Sequence, residues 1–225
     1  MASGQHAGLT HAVTGVTRAP MLLRMPERRY RGFIFDCDGT LVDSMKLHHR
    51  AWSLAFSDHG AKFDFHWDLF MSRAGMGLEQ TVLELNEEFG ERMVPRVVIE
   101  TQRVHYSASL HLLEPVAEVV AIARELAPNF PLSVASGGEK AVVLSSLEAI
   151  GIKDLFGHIV CQQDVVHGKP DPEMFLKCAA LMGIPAHECL VFEDGALGIV
   201  AAQRAGMAWV AVDGTGRCED SPAAI

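Results

Sequence analysis

From Arg31 onward the chain alternates short continuous apolar runs with longer segments whose apolar positions recur every three or four residues. Gly32-Phe33-Ile34-Phe35 is the first run, and it ends in Asp36-Cys37-Asp38-Gly39-Thr40, the pattern of a buried strand entering a turn. Further runs at Pro131–Ala135, Gly157–Val160, Leu190–Phe192 and Trp209–Val212 give way to polar or glycine-containing clusters. Amphipathic segments of helix length, Pro115–Leu126, Glu139–Ile150, Pro172–Met182 and Ala196–Ala205, lie between them and close near Gly or Pro. Strands alternating with helices predict a parallel α/β sheet. Ligands of such sheets sit outside the carboxyl ends of the strands, so four polar clusters remote in sequence are expected to meet in one crevice.

The stretch 45–113 breaks the alternation. It has no convincing strand and reads as helices over roughly Met45–His59, Phe65–Ser72, Leu78–Phe89 and Met93–Ser109. About seventy residues are too many for a loop, and their place beside the first polar cluster suits a helical cap that closes over a site. The expected organisation is a mobile leader over 1–30, a core from 31–44 and 114–225, and the cap inserted between them at 45–113. The leader lacks the continuous apolar stretch of a secretory signal; a transit peptide, or a start at Met21 or Met25, are the alternatives.

With 225 residues, 49% of them apolar, the chain is long enough to bury an extended core and is not expected to be disordered. No run of eighteen apolar residues occurs, so no membrane span is expected. The formal charge of −9 argues against nucleic acid as a partner, because backbone phosphates are held by clustered Lys and Arg. The acidity is uneven: residues 1–31 carry five arginines against Glu27 alone. The five cysteines have no C-x-x-C spacing and are odd in number, which excludes a disulfide framework or zinc site as the first reading and suggests a reducing, cytoplasmic setting.

Asp36 and Asp38, two apart at a strand end, tend to leave the same face. At an effective dielectric of about 20 and a spacing of about 4 Å, two like charges cost roughly 4 kcal/mol, so the pair calls for a cation or a shared proton. Glu193 and Asp194 add two more carboxylates. An all-oxygen set suits Mg²⁺, Lys169 supplies a positive side chain, and Ser136-Gly137-Gly138 at a helix start offers a hydroxyl and backbone N–H groups to an anion. Together the parts describe phosphoryl transfer. Asp36 would attack phosphorus, and Asp38 would protonate the leaving oxygen and later activate water.

These residues carry a resemblance. The run from Phe33 to Ser44, Val134-Ala135-Ser136, His167-Gly168-Lys169-Pro170-Asp171-Pro172 and Val191-Phe192-Glu193-Asp194-Gly195 resemble the four ordered motifs of the haloacid dehalogenase superfamily, over about Arg31 to Asp213. The helices after the first motif resemble the cap of its β-phosphoglucomutase-like subfamily, nearest to its sugar-phosphate phosphatases of the fructose-1-phosphatase-like kind. The resemblance implies a Rossmann-like α/β core with Asp36 as nucleophile and Asp38 as acid/base. It implies Mg²⁺ held by Asp36, the backbone carbonyl of Asp38 and Asp194, with Glu193 in close support, and phosphate held by Ser136, Gly137 and Lys169. His48 and Trp52 stand where that subfamily often has H-x-x-x-W facing the substrate entrance. The implied substrate is a small phosphorylated metabolite, a sugar phosphate; apart from the resemblance, a monomer is expected.

Each signal has a plainer reading. Ser136 could simply cap a helix, Glu193-Asp194 could answer a helix dipole, and His48 and Trp52 could be packing residues on one helix face. An EF-hand fails on spacing, since Gly39 is fourth counting from Asp36. Neither a dinucleotide fingerprint nor a P-loop is present. Arg73 and Arg103 are candidate anion contacts. A phosphohexomutase would use the same chemistry, although Gly75-Met76-Gly77-Leu78 lacks the arginine that mutases usually place just after a cap glycine. A catalytically silent protein that binds phosphate ligands is the alternative of another class.

Overall fold

Among the described residues six strands form one sheet, and their order accounts for the meeting of the distant clusters. The computed structural model describes residues 30–73, 76–213 and 218–219; apart from Tyr30 the leader lies outside this range, as does Gly75. Strands β1 (Gly32–Phe35), β2 (Leu132–Ala135), β3 (His158–Val160), β4 (Cys189–Glu193) and β5 (Ala208–Ala211) are parallel, and the two-residue β6 (Cys218–Glu219) runs antiparallel to β5. The order is β3-β2-β1-β4-β5-β6. This is a Rossmann-like α/β sheet, in which the chain steps from β1 toward β3 on one side and resumes at β4 on the other. The switch point between β1 and β4 is where such folds open a crevice.

Strand β1 is buried along its whole length, which explains its continuous apolar run. Phe33 and Phe35 point to the core that holds Val119, Val143 and Leu147, while Ile34 points to the opposite core with Met174, Phe175 and Ile199. Phe35 stacks on Phe192 with ring centroids 4.6 Å apart. The helices on these faces are α5 (Ala117–Leu126) and α6 (Lys140–Ala149) against the first core, with α7 (Glu173–Met182) and α8 (Ala196–Arg204) against the second. Phe35 is in register with both Val134 and Phe192, so β1, β2 and β4 end level, and Asp36, Ser136 and Glu193 emerge at one edge.

Between β1 and α5 lie α1 (Met45–Asp58), α2 (Trp67–Met71), α3 (Leu78–Phe89) and α4 (Pro95–Ala108). They enclose a core of their own that includes Trp52, Phe56, Phe65, Leu85 and Val98. The chain enters and leaves this segment side by side: Asp43 N donates to Glu114 O and Val116 N to Leu41 O, both at 2.9 Å. Helix α2 begins at Trp67, later than the periodicity predicts, because His66 is extended and its Nδ1 accepts the N–H of Leu69. Strand β6 has no signal in the sequence, being too short to show a period. Among the described residues no helix is long and apolar enough to cross a membrane.

Candidate active site

The site is built at the level ends of β1 and β4. Asp36 follows β1, and its backbone N–H continues the ladder to Phe192 O at 2.9 Å. Gly39 then takes φ +88, a turn that L side chains resist, and its N–H reaches Val42 O at 2.8 Å. This tight turn carries Asp38 back over the sheet edge and sets Thr40 beside β4. Thr40 Oγ1 donates to Asp194 Oδ1 at 3.1 Å. One oxygen from each of Asp36, Glu193 and Asp194 lies within 4.8 Å of the others.

Lys169 comes from the loop before α7 and binds the cluster together. Its Nζ is 2.6 Å from Asp36 Oδ1 and 2.7 Å from Glu193 Oε2, and it lies 5.2 Å from the centroid of the Phe175 ring. The other Glu193 oxygen accepts the Gly195 N–H at 3.1 Å. Both oxygens of Glu193 therefore have partners, and its geometry is that of a holder for Lys169. Asp38 is tied elsewhere: Ser44 Oγ donates to its Oδ1 at 2.6 Å, and His48 Nε2 lies 3.2 Å from the same oxygen. Across the crevice Ser136 Oγ accepts the Gly138 N–H at 3.0 Å, while its own O–H has no acceptor among the described residues. Gly137 is exposed at the tip of this loop.

Burial and charge set the protonation of the cluster. Burial pushes the Asp36 carboxyl upward and the Lys169 ammonium opposes it. Burial, reinforced by the Asp36 charge, takes Glu193 to about 8 and Asp194 to about 7. Burial would raise Asp38 too, but the neighbouring His48 and the bonds from His48 and Ser44 outweigh it, so Asp38 is held below the ordinary aspartate range. Lys169 loses hydration in the cluster, yet Asp36 and Glu193 raise its affinity for its proton and keep it charged.

The structure thus brings together Asp36, Asp38, Ser136, Lys169, Glu193 and Asp194, with His48 against Asp38. Trp52 is not part of that group: it is buried in the core of the helical segment, stacked on Phe56 at 5.3 Å, and we assign it to packing rather than substrate contact. Arg73 pairs with Glu88, and Arg103 pairs with Glu139, its Nε 2.6 Å from Oε2, and with Glu100. These partners already neutralise both candidate anion contacts. Sequence reasoning gave no role to Ser44, which falls within the first motif, or to Gly198, where an added Cβ would come within 2.1 Å of Glu193 Cδ.

An all-oxygen set of carboxylates too numerous for one ammonium fits a hard divalent cation. The approach of Gly39 to Asp194, so close that no Cβ fits between them, keeps those oxygens converging.

The profile of the haloacid dehalogenase-like hydrolases matches residues 30–206. The fructose-1-phosphate phosphatase YqaB of Escherichia coli (strain K12) is 33% identical over 181 residues, covering 80% of this chain and 94% of that protein. The validoxylamine A 7'-phosphate phosphatase of Streptomyces hygroscopicus subsp. limoneus is 30% identical over 183 residues, with 79% and 83% covered. Among solved structures, a hydrolase from Pseudomonas syringae superposes with a TM-score of 0.68 at 28% identity, covering 80% of this chain and 83% of that one. With its motifs in order on this sheet and its profile matched over most of its length, the chain belongs to the haloacid dehalogenase-like hydrolase family.

Proposed function

We propose that this chain, a phosphoric monoester hydrolase, releases phosphate from a small sugar phosphate through a covalent intermediate on Asp36. The observation that carries the reading is the Asp36–Lys169–Glu193 bridge at the level ends of β1 and β4, with Asp38 held apart by Ser44 and His48. In the first half-reaction Asp38, ionised in the free site, takes up a proton as the phosphate dianion enters beside it; an Asp36 carboxylate oxygen then bonds to phosphorus as the bond to the sugar oxygen breaks, and Asp38 passes that proton to the sugar oxygen. In the second, Asp38 takes a proton from water, whose oxygen attacks phosphorus and frees Asp36. Lys169 offsets the repulsion between a carboxylate and a phosphate dianion, Glu193 fixes Lys169, and the Ser136 hydroxyl with the Gly137 loop receives phosphate oxygens. Mg²⁺, held by Asp36, the Asp38 carbonyl and Asp194, with Glu193 alongside, would supply charge stabilisation at the phosphoryl group. Helices α1–α4 would act as a cap over this crevice.

The test is phosphate release from a panel containing fructose 1-phosphate, 6-phosphogluconate and β-glucose 1-phosphate, with and without Mg²⁺. Release is expected to need Mg²⁺ and to vanish in Asp36→Asn. Turnover surviving that substitution rejects the covalent route, and conversion of β-glucose 1-phosphate to glucose 6-phosphate without phosphate release would establish a mutase instead.

A further inference from the structure

Asp38 is oriented by His48, and His48 is itself held. On its ring lies the ring of Tyr106 from α4, centroids 4.0 Å apart and planes within 9°. Tyr106 is 1% exposed, and its hydroxyl is 3.0 Å from Ser146 Oγ on α6. Ser146 Oγ already donates to Val142 O at 3.0 Å, so the Tyr106 O–H is the donor in this contact. Burial keeps the phenol protonated well above its ordinary range, consistent with that role. The face of Tyr106 and its hydroxyl therefore touch two different elements: the first fixes a ring plane on α1, and the second is anchored to the helix that follows the Ser136 loop.

We propose that Tyr106 is a positioning residue for the reaction. It clamps His48 in the plane that aims Nε2 at Asp38 Oδ1, and through Ser146 it registers that clamp against the phosphate loop. The consequence lies at the other Asp38 oxygen. With Oδ1 occupied by Ser44 and His48, Oδ2 is the one turned toward the Ser136 loop; a Cβ on Gly138 would lie 3.5 Å from Oδ2 and 3.2 Å from Ser136 Oγ. Proton transfer to a leaving oxygen depends on this orientation, because small displacements of a catalytic group are costly in rate. The inference rests on the acid/base role proposed above for Asp38.

The experiment is a mutant cycle on the full chain with Mg²⁺, fructose 1-phosphate being the probe and thermal melting the check of folding. Tyr106→Phe keeps the stacked ring and removes the anchor, and kcat is expected to fall about threefold with KM unchanged. Tyr106→Leu removes the ring as well, with an expected fall of about tenfold or more. In a His48→Ala background neither substitution should lower kcat further, since the clamp would have nothing to hold. A wild-type kcat in Tyr106→Phe, a loss confined to KM, or losses that multiply with that of His48→Ala would overturn the proposal. Turnover that survives Asp38→Asn would instead remove the acid/base reading beneath it, so the two failures are distinguishable.

Discussion

A Cβ placed on Gly39 would stand 2.1 Å from Oδ2 of Asp194, so the first and last motifs meet across a gap that admits only hydrogen. The same glycine has φ +88. Gly39→Ala therefore meets a steric and a conformational obstacle together, and Asp194 cannot simply swing away because Thr40 holds its other oxygen. The strained backbone alone costs about 1–3 kcal/mol. We expect a lower melting temperature and a loss of phosphate release of at least about a hundredfold, since a misplaced carboxylate disturbs the acid/base turn as well. Activity near that of the parent would show that this contact relaxes freely.

Lys169 is the cation set between Asp36 and Glu193, both buried. Removing one partner of a buried pair leaves charge uncompensated, which typically costs about 3–5 kcal/mol. Lys169→Met should approach a loss of this size by urea unfolding only at pH 9.5, above the value of about 8 that Glu193 has even beside the ammonium, and show a smaller one at pH 5.5, where the abandoned carboxylates take up protons. An equal loss at the two pH values would mean that packing, rather than charge, carries the effect. Catalysis should be lost at both.

The helices and strands of the core are legible because β1 is covered on both faces and so is continuously apolar, and because each polar cluster closes a strand. What the pattern along the chain does not contain is register. That Phe35 faces both Val134 and Phe192 is what makes Asp36 and Glu193 neighbours, and it is settled by packing across the sheet. His48 and Trp52 show the same limit. Four residues apart, they share a helix side, yet His48 overhangs the sheet edge and reaches Asp38 while Trp52, one turn on, is enclosed by Phe56 and its neighbours. Ser44 and Gly198 carry no signal for a similar reason, since each acts by contact with a carboxylate whose direction the sequence leaves open. Nothing along the chain pairs Arg103 with Glu139, which is 36 residues away, so its neutralisation is visible only in the fold.

The raised carboxyls give the metal-free protein a defined pH dependence. Burial and the Asp36 charge take Asp194 up to about 7 and Glu193 up to about 8 in the folded chain, against about 3.9 and 4.3 for the unfolded one. Between these values the folded state binds more protons, so stability contributed by the two groups is fully present below about pH 4 and is lost as pH rises through about 8. Melting temperature without metal should accordingly fall from pH 6 to pH 8.5. Mg²⁺ should reverse that fall, because it competes with the same protons and binds more tightly as they leave. A metal-free melting temperature that rises over this range would contradict the assigned protonation.

Asp38→Asn separates the two halves of the proposed reaction. Its amide can neither give the leaving oxygen a proton nor take one from water, and general acid–base catalysis of this kind is worth about 10²–10⁴ in rate. A sugar alkoxide is a poor leaving group and needs the proton, whereas p-nitrophenolate leaves readily without it. The variant should therefore hydrolyse no fructose 1-phosphate, yet with p-nitrophenyl phosphate it should release close to one equivalent of nitrophenol per enzyme and then stall. The phosphoryl group would remain on Asp36, because the second step still lacks its base. Acid-quenched protein should carry that acyl phosphate, labile to hydroxylamine, and Asp36→Asn/Asp38→Asn should show neither burst nor label. Steady turnover of the aryl phosphate in Asp38→Asn would place the base for water elsewhere; absence of both burst and label would place the loss of function before phosphoryl transfer, in the geometry that Ser44 and His48 impose on residue 38.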